Sequence, residues 1–165
     1  ICNHLFKMNN FNSLKAVLKG LQNMAVARMK QARDSLPSDS KKIQGDLEKL
    51  MAETNGNYKP YREATRALVK KNDTPMIPYL DVYLSELQLT EVNHHDFTRN
   101  PSNNVELINW NKRESSYDVI SEIRKMQSRQ YNFLPVHQVQ QLLIQKKEKI
   151  DNQEELKNMS VRAEH

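Results

Sequence analysis

The sequence predicts an all-α protein, and three observations carry that prediction. Glycine occurs only three times and proline six times in 165 residues. Leu, Lys, Glu, Gln, Met and Arg are common, and all of them favour helix by intrinsic propensity. Apolar residues recur at i, i+3, i+4 and i+7 in one segment after another, the spacing that lines a single face of a helix. The length suits one domain with a real core, yet only 38% of the residues are hydrophobic and the mean hydropathy is -0.82, so the surface must be highly polar.

Ile1 to Met8 reads as the end of a helix, interrupted by Asn9-Asn10-Phe11-Asn12 before Ser13 caps the next one. That second helix carries Leu14, Val17, Leu18 and Leu21 on one face. Asn23 starts a short helix through Arg33, with Val26 and Met29 inward. Leu36-Pro37-Ser38-Asp39 is a turn and cap ahead of a helix whose stripe is Ile43, Leu47, Leu50 and Met51, weakened locally by Gly45. Asn55-Gly56-Asn57 stops it, and Pro60 suits the first turn of a helix in which Tyr61, Ala64 and Leu68 repeat up to Lys71.

Asp73-Thr74-Pro75-Met76-Ile77-Pro78 is an extended crossing, because residues before proline avoid the α region. Tyr79 to Glu91 then forms a helix that is apolar on most sides, with Leu80, Tyr83, Leu84 and Leu87 expected in the core and Val82 and Leu89 off that stripe. Such a helix touches something on more than one face. Val92 to Asn104 is expected to be an exposed loop. From Val105 a long helix runs to about Gln130, with Ile108, Tyr117, Ile120 and Ile123 inward and Trp110 buried against the preceding helix. The two helices thus read as joined at one end. Pro135 opens a helix with Val136, Val139, Leu142 and Leu143, and Glu154 to Met159 forms a last one.

Composition excludes several classes. The single Cys2 rules out an internal disulfide, and no Cys/His grouping has the spacing of a structural zinc site, which points to a reducing compartment. No apolar run approaches the ~18 to 20 residues that cross a bilayer, and the start does not resemble a signal peptide, so a soluble intracellular protein is expected. The net charge of +5 and pI near 9.3 are compatible with nucleic acid or an anionic membrane surface. The preferred account is an ordinary solvated surface, because Lys41-Lys42, Lys70-Lys71 and Lys146-Lys147 are dispersed among acids without interleaved aromatics.

Covalent catalysis has no signature here. No nucleophile elbow surrounds a serine, and Cys2 has no motif context. His94-His95-Asp96 lacks a second ligand pair and reads as solvated loop. Gly20, Gly45 and Gly56 are too scattered to write a P-loop or a dinucleotide fingerprint. No cofactor and no metal are expected.

Four blocks, in order, are similar to the catalytic domain of guanine-nucleotide exchange factors for Ras-family GTPases. They are Met8-Asn9-Asn10-Phe11-Asn12-Ser13-Leu14 with Gly20-Leu21, Ala25-Val26-Ala27-Arg28-Met29-Lys30, Pro75-Met76-Ile77-Pro78-Tyr79-Leu80 with Val82-Tyr83-Leu84, and Leu107-Ile108-Asn109-Trp110-Asn111-Lys112-Arg113. Tyr58 also falls where the family places an aromatic ahead of a helix. The resemblance implies an irregular helical bundle with a protruding antiparallel helical hairpin, made here by Pro78 to about Gln130. It also implies a partial catalytic domain over residues 1–165, its amino-terminal third missing, as the start at Ile1 rather than Met also suggests.

The function implied is promotion of GDP release from a Ras-like small GTPase by a hairpin pushed against its nucleotide site, a regulatory act without covalent chemistry. Carried over by position, residues facing the nucleotide site are Ser85, Gln88, Leu89 and Val92, and contacts to the second switch region are Gln22, Ala27, Tyr58 and Tyr79. Glu91, His94, Lys112 and Arg113 complete the candidate GTPase-binding set; Lys112 and Arg113 are either solvated or meet acidic surface on the partner. The chain departs from the family where Asp81 replaces a frequent Gly, and where Glu91-Val92-Asn93-His94 replaces two acids, Gly and Asn. Val92 cannot supply the second carboxylate, and Glu91 would replace it only by shifting ~100° around the helix. No nucleic acid is expected as partner, and a membrane is met only indirectly, through the GTPase or other domains, in a cytoplasmic protein recruited to a membrane's inner face. The alternative is a non-exchanging GTPase-binding or scaffold module on the same fold, and a basic helical nucleic-acid binder is a third possibility.

Overall fold

A computed structural model describes residues 1–53, 58–71, 73–146 and 152–164. The described residues form α1 (Cys2–Lys7), α2 (Phe11–Leu21), α3 (Met24–Ala27), α4 (Lys30–Asp34), α5 (Ser38–Leu50), α6 (Lys59–Lys71), α7 (Leu80–Asn93), β1 (Phe97–Arg99), β2 (Glu106–Ile108), α8 (Trp110–Met126), α9 (His137–Lys146) and α10 (Gln153–Ala163). The all-α class therefore holds, with one small ribbon added. The helix stop expected at Asn55-Gly56-Asn57 and the side chains of Lys146-Lys147 lie outside the described residues.

Asparagines place several of the helix starts. Asn10 caps α2 by accepting from the Ser13 N–H, Asn23 caps α3 through the Ala25 N–H, Asn109 caps α8 through the Lys112 N–H, and Asn152 caps α10 through the Glu154 N–H. Ser13, expected as a cap, thus sits inside α2. The helix expected from Asn23 to Arg33 is split into α3 and α4, since Arg28 closes the first and Met29 leaves helical geometry. Pro60 lies in the first turn of α6 as expected.

The core gathers Phe11, Leu14 and Leu18 of α2, Leu47 and Met51 of α5, Tyr61 of α6, and Met76 and Tyr79 of the crossing. Val82 and Tyr83 of α7 and Val119 and Met126 of α8 complete it. Phe11 meets Tyr61 edge to face at 5.3 Å. The crossing is tied to the start of α2 by backbone: the Ile77 N–H donates to the Asn9 carbonyl at 3.0 Å, and the Phe11 N–H donates to the Ile77 carbonyl at 2.9 Å. Asn9 makes this possible by adopting a left-handed φ of 56°, which asparagine tolerates better than most residues. Its amide also donates to the Pro75 carbonyl at 3.2 Å. Two residues after Ile77 the Tyr79 N–H, at the start of α7, donates to the buried Tyr61 hydroxyl at 2.8 Å.

α7 and α8 form an antiparallel pair. The end of α8, Met126, shares the core with Val82 and Tyr83 near the start of α7, whereas the start of α8 is bonded to the end of α7 by Lys112 and Glu91. Two expectations for this pair fail. Leu80 and Leu84 are 42% and 56% exposed, because Tyr61 holds Tyr79 inward and turns the neighbouring face, Val82 and Tyr83, to the core; Leu87 only packs against its edge. Trp110 is 71% exposed because Asn109 caps α8 immediately before it, leaving it in the first turn at the open end of the pair. For the same reason α8 starts five residues later than expected, and Ile108, Tyr117 and Ile120 are exposed while Val119 and Met126 face inward.

The segment expected to be loop contains β1, which pairs antiparallel with β2 through Phe97 and Ile108, Thr98 and Leu107, and Arg99 and Glu106. Asn100 and Asn103 shape the turn by accepting from the Ser102 and Val105 N–H groups. Every strand residue is exposed, so no buried alternation marks the ribbon in the sequence. α9 is present, but Val136, Val139, Leu142 and Leu143 are all exposed, since the core cluster draws its members from residues 11–126. α10 packs on α3, where the Asn23 amide reaches Gln153 at 3.4 Å.

An ion cluster closes the far end of the pair. Lys112, with a side chain 2% exposed, donates to Glu91 at 2.9 Å and to Asp96 at 3.0 Å, and Arg113 reaches the same Asp96 oxygen at 2.7 Å. Asn109 adds two backbone ties, its amide to the His95 carbonyl and its N–H to the Asp96 carbonyl. The bond from Lys112 holds the Asp96 carboxyl below the usual carboxylate range, and the bond to Glu91 raises the Lys112 ammonium.

Replacement of Asn9 by Ala should lower stability by about 2 to 3 kcal/mol in urea titration, through left-handed strain and lost amide bonds. Asn9→Gly, which removes the strain alone, should recover about 1 kcal/mol of that. The cluster makes a pH prediction. A depressed Asp96 stabilises above its unfolded pKa of about 3.9 and loses that contribution as pH falls through its folded value; a raised Lys112 stabilises below about 10.4 and loses it as pH rises through its folded value. Amide protection in residues 93–112, measured by hydrogen exchange corrected for intrinsic rate, should hold steady from about pH 5 to 9 and fall below about pH 4. In Lys112→Met that acid-side fall should shrink, the remainder reflecting the Arg113 bond to Asp96.

Candidate functional site

The exposed face of α7 borders an open groove of about 560 Å³ that also takes in the end of α2 and the approach to α6. Its lining is Lys19, Glu53, Tyr58, Tyr79, Asp81, Val82, Ser85, Gln88, Leu89 and Val92. On α7 the residues Asp81, Ser85, Gln88, Leu89 and Val92 stand at i, i+4, i+7, i+8 and i+11, one stripe of a helix. Opposite them Tyr58 and Tyr79 meet edge to face at 5.6 Å.

The two phenols are locked by carboxylates. The Tyr58 hydroxyl donates to Glu53 at 3.0 Å, and the Tyr79 hydroxyl donates to Asp81 at 2.6 Å. Lys19 donates to the Tyr79 oxygen at 3.1 Å and lies 3.8 Å from the Asp81 carboxylate. Lys15 stands over the Tyr58 ring at 5.2 Å while donating to the Met51 carbonyl at 2.7 Å. Burial, followed by the bond to Asp81, pushes the Tyr79 phenol up to about 12. Tyr58 rises as well, through burial and then its bond to Glu53. Lys15 is lowered by burial and by neighbouring Lys19. Both tyrosines stay neutral donors at any physiological pH, so each hydroxyl proton is already spent inside the protein.

Six of the twelve residues singled out from the sequence converge here: Tyr58, Tyr79, Ser85, Gln88, Leu89 and Val92. Tyr79 is both core and lining, since its residue is 5% exposed while its hydroxyl joins the groove network. Gln22 is the exposed residue closing α2, three positions past Lys19 and on the same side. Ala27 ends α3, half-buried and outside the groove. Leu89 and Val92 are 60% and 75% exposed toward the free end of α7, where His94 follows as an exposed cap.

Glu91 and Lys112 are turned toward each other, as the ion cluster shows, and Glu91 is not part of the groove. Arg113 is half-exposed and bonded to Asp96. Lys112, as a buried internal ligand of two carboxylates, is not solvated. Sequence reasoning passed over Lys19, Glu53 and Asp81 as groove residues. Lys19 was legible as one turn before Gln22, and Asp81 as the first member of the α7 stripe. Glu53 carried no periodic signal, since it follows α5 and is placed by the tertiary fold.

Among the described residues no group of three or more His, Cys, Asp or Glu is placed to hold a metal ion, and no helix is long and apolar enough to cross a membrane. What the arrangement provides is a binding surface: apolar side chains flanked by ordered polar groups, running out along a helix toward an exposed end.

Comparison with known proteins identifies the family. The RasGEF domain model matches residues 1–114. The chain is similar to Ras guanine nucleotide exchange factor A of Dictyostelium discoideum, at 39% identity over 87% of this chain and 23% of that protein. It is similar to factor R of the same organism at 39% over 87% of this chain and 8% of that protein. Cell division control protein 25 of Saccharomyces cerevisiae matches at 27% over 99% of this chain and 10% of its own length. The chain thus spans less than a quarter of each of these relatives. With the family model covering more than half of its residues, and with the four blocks forming the start of α2, α3, the crossing into α7 and the start of α8, this chain belongs to the RasGEF domain family.

Proposed function

We propose that this chain promotes release of GDP from a Ras-like small GTPase by binding it along the α7 groove and applying the free end of the α7–α8 hairpin to its nucleotide site. The observation that carries this proposal is the single groove in which Tyr58 and Tyr79 meet Ser85, Gln88, Leu89 and Val92. Residues assigned by resemblance to two different regions of the GTPase thereby form one continuous surface, as one partner spanning both would require. The relatives' names as Ras exchange factors agree with it.

The physical basis is linkage. Exchange factor and nucleotide weaken each other's binding by the same coupling free energy, and each ~1.4 kcal/mol of coupling is worth tenfold in nucleotide affinity. No bond is made or broken. The groove supplies affinity through Leu89 and Val92, whose exposed apolar surface is released from water on docking. Gln88 and Leu89 then occupy space beside the nucleotide and displace what lies there. Glu91 is engaged with Lys112 on another side of α7, so in this chain displacement is steric and proceeds without a hairpin carboxylate at the phosphates. Ion pairing within the tip keeps the hairpin stiff enough to transmit that force. The protein reaches a membrane through the GTPase or through other domains.

Fluorescent-GDP release from a panel of Ras, Rap and Ral proteins tests this: at least one should release nucleotide faster, and no acceleration with any of them would overturn the proposal in favour of a module that binds without exchange. Leu89→Asp should reduce the accelerated rate at least about tenfold, corresponding to ~1.4 kcal/mol or more. Glu91→Ala should reduce it by no more than about threefold, through loosening of Lys112. A tenfold or greater fall in Glu91→Ala would instead assign the carboxylate a direct role.

A further inference from the structure

Among the groove residues, the carboxylate of Asp81 stands at the start of α7 and is bonded across to the crossing and to α2. It accepts from the Tyr79 hydroxyl at 2.6 Å and stands 3.8 Å from the Lys19 ammonium, which itself donates to the same hydroxyl at 3.1 Å. Three groups from α2, the crossing and α7 are therefore joined at one phenol oxygen. The Lys19 and Asp81 side chains are 58% and 64% exposed, so this triad stands at the groove's open edge.

We propose that Asp81 is a positioning residue: it holds the Tyr79 hydroxyl and the Lys19 ammonium so that the tyrosine ring stands as a fixed wall of the groove, and it thereby sets affinity for the GTPase. The inference rests on the proposed docking along the groove. Two consequences follow from the chemistry. With the protons of Tyr58 and Tyr79 both committed to carboxylates, the two phenols offer only acceptor oxygens, while the Lys19 ammonium balances the charge of Asp81. The GTPase segment that meets those phenol oxygens should therefore bring donors to them, such as backbone N–H groups. Charge-assisted bonds are also the stronger ones, so loss of Asp81 releases the Tyr79 hydroxyl proton and breaks the ion pair of Lys19, while the ring base stays packed in the core. Because Asp81 sits at the start of α7, about three turns from Val92, it acts on docking rather than on the release step at the far end.

The experiment measures nucleotide release against GTPase concentration for the unaltered chain, Asp81→Ala and Asp81→Asn, using whichever panel member responds. Asp81→Ala should raise the half-saturating GTPase concentration about tenfold with the maximal rate within about twofold, and Asp81→Asn, which keeps an acceptor for Tyr79, should restore about half of that loss on a logarithmic scale. An unchanged half-saturation, or a fall in maximal rate alone, would overturn the proposal. A second readout is independent of exchange. With 3-fluorotyrosine incorporated and the Tyr79 signal assigned through Tyr79→Phe, Asp81→Ala should shift and broaden the Tyr79 fluorine resonance, and an unaltered resonance would refute the positioning role. If the unaltered chain releases nucleotide from no GTPase while the resonance moves as expected, docking fails and the triad stands as a structural lock only.

Discussion

The short backbone clip between Asn9–Phe11 and Pro75–Ile77 is the constraint on which the rest of this fold depends. Two inter-segment hydrogen bonds, made possible by the left-handed turn at Asn9, fix the crossing against the start of α2. Tyr61 then takes the Tyr79 N–H, and α7 begins at the next residue. A slip of one residue would rotate α7 by about 100°, exchanging its core stripe for its groove stripe. The clip therefore decides not only that a helix follows Pro78 but which of its faces is available to a partner.

That matters because α7 has little amphipathic character of its own. Val82 and Tyr83 are buried, Leu87 packs at the core edge, and Leu80 and Leu84 face outward on another side. Asp81, Ser85, Gln88, Leu89 and Val92 form the groove face. A helix apolar nearly all round serves two contacts, one with the core and one with whatever occupies the groove. Its base is anchored by Tyr61 and Met126, and its free end is held by Lys112. Burying an ammonium is costly unless it is paired and hydrogen-bonded, and the two carboxylates that pair with Lys112 belong to the end of α7 and the start of the ribbon. The lysine thus joins three segments that hydrophobic contact leaves open, and the hairpin keeps its shape out to its exposed tip.

Much of this was legible in the sequence. Helix formers and i, i+3, i+4 spacing located most helices, Pro60 and Pro75–Pro78 marked a helix start and an extended crossing, and the four blocks pointed to the RasGEF family now found over residues 1–114. The ribbon was not legible, because two three-residue strands with fully exposed side chains leave no alternation of buried and exposed positions to detect. Nor was the burial of Lys112, since a lysine beside an arginine in a polar run has the signature of a solvated face. The exposure of Trp110 was misjudged because its size favours burial, while its place is set by the Asn109 cap one residue earlier.

Periodicity and capping act through neighbours a few residues apart, so the sequence by itself determined where most of the helices lie. Ser85, Gln88, Leu89 and Val92 were grouped by family resemblance, with Val92 expected in the loop, whereas α7 in fact runs through to Asn93. Only the tertiary structure decided which face of α7 meets the core, that Tyr58, Glu53 and Lys19 join those four residues in one groove, and that Glu91 turns to Lys112 instead of toward it. Those outcomes depend on contacts between segments that are 16 or more residues apart in the chain, such as Lys112 with Asp96 and Asn9 with Pro75. Local propensity carries no information about such pairings, because their free energy arises only once packing has brought the segments together.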